Sequence, residues 1–240
     1  MTKLYSFVRI FLHTCERGVF MIQNYYHACK EDPSLIFSLI KNGEFVEVEQ
    51  LLLDNIVNIN TEDSIGNTVM MRLLKAKQYD MVLQFMKKKN WDVNHQNEDG
   101  NTFGHLLAGH DCVQAVQIVE YLKSKSNYLP NIRNYRGETA MDIALSNHYL
   151  CTAFKILEDK RFDEIDLFSF KHLFNATVRS KLYGKYSKIM NLEIIVESLE
   201  KKDLEEDLKN LIRYIKENME AIKNSILNGR LGILDAIMNA

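Results

Sequence analysis

The sequence predicts an all-α fold assembled from a repeated helix–turn–helix unit, and three observations carry that prediction. A pattern recurs in register: Asn60 precedes Gly66-Asn67-Thr68, Asn94 precedes Gly100-Asn101-Thr102, and Asn131 precedes Gly137-Glu138-Thr139, with the glycines 34 and 37 residues apart. Self-similarity at about 33 residues marks a stacked supersecondary unit. Only two prolines occur in 240 residues, Pro33 and Pro130, and proline breaks helices from within. Apolar residues also fall at helical spacing, as in Met81, Val82, Phe85 and Met86. Stacked units expose extended faces that bind other molecules, so the pattern points to a binding surface rather than a catalytic pocket.

Three segments follow from this reading: an N-terminal helical segment over 1–32, the repeats over 33–162, and a helical region over 163–240. The first twenty residues are apolar but are interrupted by Lys3, Arg9, Glu16 and Arg17. They fall short of the ~20 apolar residues of a membrane span and lack an evident signal-cleavage site. A partial first copy reads Lys41-Asn42-Gly43-Glu44-Phe45, then Val48 and Leu51-Leu52-Leu53. In the next copy Thr68 opens a helix and Gln78-Tyr79-Asp80 turns the chain. Met81 to Met86 forms a second helix, and Trp91-Asp92-Val93-Asn94 leads out to the polar loop His95–Asp99. The third copy carries about three extra residues around Ser124–Leu129. Each Gly is expected at a turn position with positive φ, each Thr as a helix N-cap, and each exit Asn bonded to neighbouring backbone. All of these are read as structural.

Beyond the repeats, Leu192, Ile195, Val196 and Leu199 form one apolar stripe. Leu204, Leu208, Leu211, Ile215, Ile222 and Ile226 form another, predicting a long amphipathic helix that ends near Asn228-Gly229. Leu231–Met238 has the pattern of a last short helix. This region reads either as a cap over the open end of the stack or as a partner-binding helix pair.

The repeat resembles the ankyrin repeat, whose pattern runs Asp-x-x-Gly-x-Thr-Pro-Leu-His, two helices, and a Val-Asn exit. Asp63-x-x-Gly66-x-Thr68 matches the opening, as do Asn97-x-x-Gly100-x-Thr102 and Asn134-x-x-Gly137-x-Thr139 with Asn for Asp. Ile59-Asn60, Val93-Asn94 and Pro130-Asn131 match the exit. Thr139-Ala140-Met141-Asp142-Ile143-Ala144 is similar to a terminal copy. No copy keeps the proline: the motif becomes Thr68-Val69-Met70-Met71 and Thr102-Phe103-Gly104-His105. The resemblance implies an ankyrin-type solenoid of about four degenerate copies, acting as a non-catalytic interaction module or adaptor for a partner protein. It also implies where that partner docks. The loop tips are Ser64-Ile65, Glu98-Asp99 and Tyr135-Arg136, and the first helices add Asn67, Arg72, Lys75, Asn101 and Glu138. Tyr135 and Arg136 are the first choice for anchors, because Tyr and Arg are favoured hot-spot residues. The alternative is a subunit of a larger assembly docked through the C-terminal helices.

Catalytic signatures do not emerge. His105 and His110 lack an intervening Glu, and His105 falls on the repeat's own His position. His148 and Cys151 are two potential ligands, too few for a metal site. Gly229-Arg230-Leu231-Gly232 lacks the features of a phosphate loop, and Asn175-Ala176-Thr177 is an isolated glycosylation triplet. Lys87-Lys88-Lys89-Asn90-Trp91 could contact nucleic acid, yet lysines at a helix C-terminus also favour the macrodipole. A net charge of −2 gives no global field for nucleic acid. Cys15, Cys29, Cys112 and Cys151 are expected reduced in an intracellular protein, with no cofactor or metal.

Overall fold

The computed structural model describes residues 25–162, 170, 171, 173, 174, 192–200, 202, 204 and 206–227. The expected Asn228-Gly229 cap, the Leu231–Met238 helix, Asn175-Ala176-Thr177, Cys15 and most of the N-terminal segment lie outside these residues. The chain is predominantly helical. Extended pairing among the described residues is an isolated bridge between Glu62 and Thr68. Contacts divide the molecule into two compact units, Met1–Asp92 and Val93–Ala240.

The first unit opens with helical residues 25–31 (α1) and a short 3-10 turn, Pro33–Leu35, capped by Asp32, whose carboxylate accepts from the Ser34 N–H at 3.0 Å. Two helix pairs follow: α2 (Ile36–Asn42) with α3 (Phe45–Leu53), and α4 (Val69–Lys75) with α5 (Tyr79–Lys88). α2 packs on α3, α4 on α5, and α2 on α4. The joint inside each pair is a tight left-handed turn. Gly43 sits at φ 81° and Lys77 at φ 59°. The following N–H groups, of Glu44 and Gln78, reach back to the carbonyls of Leu39 and Leu73. Both are Schellman ends, which satisfy carbonyls that the helix would otherwise orphan. The turn before α5 is thus made at Ala76–Gln78, and Tyr79 already belongs to the helix. Phe85, Met86, Val82, Leu73 and Met70 are fully buried, each stabilising by about 1.5–3 kcal/mol.

The second unit repeats the arrangement with α6 (Phe103–Leu107), α7 (Val113–Ser124), α8 (Ala140–Ser146) and α9 (Leu150–Leu157). α8 packs on α9, α7 on α9 and α6 on α8. His148, at φ 58°, makes the same left-handed joint between α8 and α9. The extra residues of this copy lengthen α7 to 12 residues and its exit loop beyond. The C-terminal helices α10 (Leu192–Glu200), α11 (Glu206–Glu217) and α12 (Met219–Leu227) follow. α10 packs on α9 and on α11. Lys202 fixes the junction by donating to the carbonyls of Phe162 and, at 2.9 Å, Asp159.

One element differs from the sequence reading. The expected single long helix is two, broken at Asn218. Its amide donates back to the Tyr214 carbonyl at 2.8 Å, the side-chain competition that disfavours Asn within helices. The apolar stripes Ile195, Val196 and Leu199, and Leu208, Leu211, Ile212, Ile215 and Ile222, are buried within the chain.

Candidate functional site

Three polar loops share one construction. Asp63 accepts from the N–H groups of Ile65 and Asn67 at 3.0 and 2.9 Å. Asn97 accepts from Asp99 and Asn101 at 3.1 and 2.9 Å. Asn134 accepts from Arg136 and Glu138, both at 3.0 Å. Each of these residues also donates its own N–H four residues ahead, and its carbonyl accepts from the glycine three residues on. The glycines hold positive φ, 71° at Gly66, 74° at Gly100 and 79° at Gly137. Gly100 has a second constraint: a Cβ there would lie 2.6 Å from Cδ1 of Tyr135. The framework amides Asn97 and Asn134 are buried, while the two residues between framework and glycine face outward in each copy.

The threonines cap as expected. Thr68, Thr102 and Thr139 accept from the backbone N–H groups of Met71, His105 and Asp142. In the last two copies the partner side chain returns the bond, closing a capping box. His105 Nδ1 lies 3.1 Å from the Thr102 N–H, and Nε2 lies 3.0 Å from the Glu138 carbonyl. An accepting Nδ1 and a carbonyl partner for Nε2 define a neutral ring with its proton on Nε2. Burial pushes its pKa down, against the opposing pull of Glu138. His105 therefore links one loop to the next and ligates nothing.

The exit asparagines reach further than neighbouring backbone. Asn60 accepts from the Asp92 N–H at 2.9 Å. Asn94 donates to the Asn127 carbonyl at 2.6 Å and accepts from the Leu129 N–H at 3.0 Å. Asn131 donates to the Arg161 carbonyl at 2.9 Å. Each bonds the exit loop of the following copy.

The predicted contact residues separate into three groups. Ser64, Ile65, Glu98, Asp99, Tyr135, Arg136 and Lys75 are exposed, Tyr135 by 75%. Arg72 and Glu138 are half-buried. Asn67 and Asn101, 0% and 8% exposed, lie inside the loops. Asn67 Oδ1 accepts from Lys75 at 3.0 Å, and Asn101 Oδ1 accepts from the Asn134 amide at 3.0 Å. These two residues support their loops and offer a partner no surface.

Within the second unit, the tips Glu98-Asp99 and Tyr135-Arg136 come together. The Tyr135 N–H donates to the Asp99 carbonyl at 3.0 Å, and the Tyr135 ring lies over Gly100. Arg136 Nε is 3.3 Å from Glu138 Oε2, an exposed pair of little energetic weight.

Within the first unit, Ser64, Arg72 and Lys75 line an open groove of about 430 Å³ together with Phe37, Ser38, Ile40, Lys41, Asp63 and Ala76. Asp63 binds Arg72 directly. Burial pushes the Asp63 carboxyl up, but the N–H groups of Asn67 and Ile65 together with Arg72 outweigh it and hold the pKa below the usual value. Phe37 and Lys41 are not among the expected contact residues because the first copy lacks the Gly-x-Thr signature that set the register of the others.

Other candidates prove structural. Trp91 is buried and presents no stacking face beside Lys87 and Lys88. Cys151 is buried, its thiol pushed up to about 11 by burial and then by Asp111, and Cys112 caps α7. Among the described residues, no group of three or more His, Cys, Asp and Glu side chains could hold a metal ion. No described helix is long and apolar enough to cross a membrane. No protein-family model matches the chain, and no curated protein matches it.

Proposed function

We propose that this protein is a non-catalytic interaction module of the ankyrin-repeat type, binding a partner protein through its loop tips and first-helix surface. One observation carries the reading: three loops share a single hydrogen-bonded frame, while the two outward residues of each differ in chemistry. They run from Ser64-Ile65 through Glu98-Asp99 to Tyr135-Arg136. A constant frame with variable exposed residues is what a recognition surface on a rigid scaffold requires. The paired helices, left-handed joints and exit asparagines that bond the next copy all support the ankyrin-type solenoid. The alternative, docking through the C-terminal helices, has less support, because the apolar stripes it would use are buried within the chain.

Affinity capture from a source-cell lysate tests the reading, comparing the wild type with Tyr135→Ala/Arg136→Glu at equal helicity. A specific partner that the variant loses is the expected result. A partner that both retain moves the binding site away from these tips. No specific partner for the wild type counts against the module.

A further inference from the structure

We infer that the tips of the second unit receive an arginine side chain of the partner protein, its guanidinium over the Tyr135 ring and beside the carboxylates of Glu98 and Asp99. This assignment rests on the interaction-module reading and gives that surface a ligand chemistry. The Tyr135 N–H donates to the Asp99 carbonyl at 3.0 Å, and one edge of its ring lies against Gly100. The ring is thereby fixed to the loop that carries both acids, yet it remains 75% exposed.

Two other tyrosines of this unit show what such a ring accepts. Lys125 Nζ lies 5.0 Å from the centre of the Tyr121 ring, and the Arg161 guanidinium 5.6 Å from that of Tyr128. Among the described residues, no cation sits over Tyr135 in this way. The arginines of its own loop already have carboxylates: Arg136 is 3.3 Å from Glu138, and Arg133 is 3.9 Å from Asp142. Glu98 and Asp99 are exposed, and neither is ion-paired among the described residues. An open ring face and two carboxylates thus offer a cation the same sign of attraction. Arginine fits better than lysine, because its flat guanidinium stacks on a ring while its N–H edge bonds a carboxylate.

A simpler reading competes: the ring shelters Gly100 and the acids are merely solvated. Shelter uses only the Cδ1–Cε1 edge of the ring and leaves the rest in water. The frame calls for no acid either, since the equivalent positions hold Ser64-Ile65 and Tyr135-Arg136. The acidic pair is therefore a property of this tip alone.

Fluorescence anisotropy on the full chain tests this with labelled peptides that alternate Ser with Arg, Lys or Glu. The Arg peptide should bind best, the Lys peptide several-fold more weakly and the Glu peptide not measurably, with binding falling as salt rises. Glu98→Gln/Asp99→Asn should weaken the Arg peptide by about tenfold. Both side chains lie outside the hydrogen-bonded frame, which uses the Asn97 side chain and the Asp99 backbone, so this variant should keep its melting temperature. Tyr135→Leu should weaken binding by about two- to fivefold, while Tyr135→Phe, which keeps the ring face, should bind as the wild type does. Glu31→Gln/Glu217→Gln removes two exposed charges elsewhere and should change nothing. Equal binding of the Arg and Lys peptides, indifference to Glu98→Gln/Asp99→Asn, equal losses from Leu and Phe at Tyr135, or no binding of the Arg peptide would each overturn the inference. A lysate partner that depends on Tyr135 and Arg136 would still uphold the module in any of those cases, so the two readings fail separately.

Discussion

Two glycines in equivalent loops separate two causes of the same residue choice. Gly100 and Gly137 both hold φ near 75–80° (74° and 79°), a region that costs other residues about 1–2 kcal/mol. A Cβ on Gly137 would meet nothing within 4 Å, whereas one on Gly100 would strike the backbone N of Tyr135 at 2.7 Å as well as its ring. Gly137→Ala should therefore cost about 1–2 kcal/mol. Gly100→Ala should cost clearly more, since the Tyr135 loop must move. Chemical denaturation of both variants checks the order, and equal losses would mean that the Tyr135 contact yields freely. Glycine was legible in the sequence as a positive-φ position. The burial of Asn67 and Asn101 was not, because a polar residue beside a loop tip reads as exposed until its hydrogen bonds are known.

At the scale of the element, α6 is only five residues long and has little cooperativity of its own. Its capping box and the His105 link to Glu138 hold it in place. The His105 pKa is lowered, so below the ordinary value near 6.5 the unfolded chain takes up a proton that the folded chain refuses. Stability from this group is full above that value and falls as pH drops toward the lowered folded pKa. His105→Gln keeps an acceptor for the Thr102 N–H and a donor for Glu138. The variant should flatten the fall in melting temperature between about pH 7 and 5. An unchanged slope would assign the acid sensitivity to other groups.

The same scale shows why the helices were readable and one boundary was not. Apolar spacing, Thr caps and Gly signatures are local, and they located the paired helices. The break at Asn218 turns on one side chain bonding its own preceding turn, a competition that an uninterrupted apolar stripe conceals. The groove escaped for a related reason: it depends on which side chains two separate helices bring together, and one of those helices belongs to the copy without the full motif.

For the molecule as a whole, the C-terminal helices decide whether the last pair stands alone. α10 packs on α9, and Leu199 is fully buried. Leu199→Asp would place a carboxylate where a leucine packs and should destabilise the second unit by about 3–5 kcal/mol, read as a lower melting temperature with no change in sedimentation. An unchanged melting temperature with loss of self-association would instead favour docking through these helices. The cap reading was one of two open in the sequence. An amphipathic stripe states that something covers it, and only the packing shows α10 against both α9 and α11.

The exit asparagines give the chain a direction. Asn94 and Asn131 bond the exit loop of the copy that follows. Peeling from either side breaks such a bond at each step: loss of the following copy strands the asparagine, and loss of the preceding copy strands the backbone group it had bonded. Each copy therefore holds down the edge of its neighbour like overlapping tiles, and neither end comes away without leaving a polar group unsatisfied.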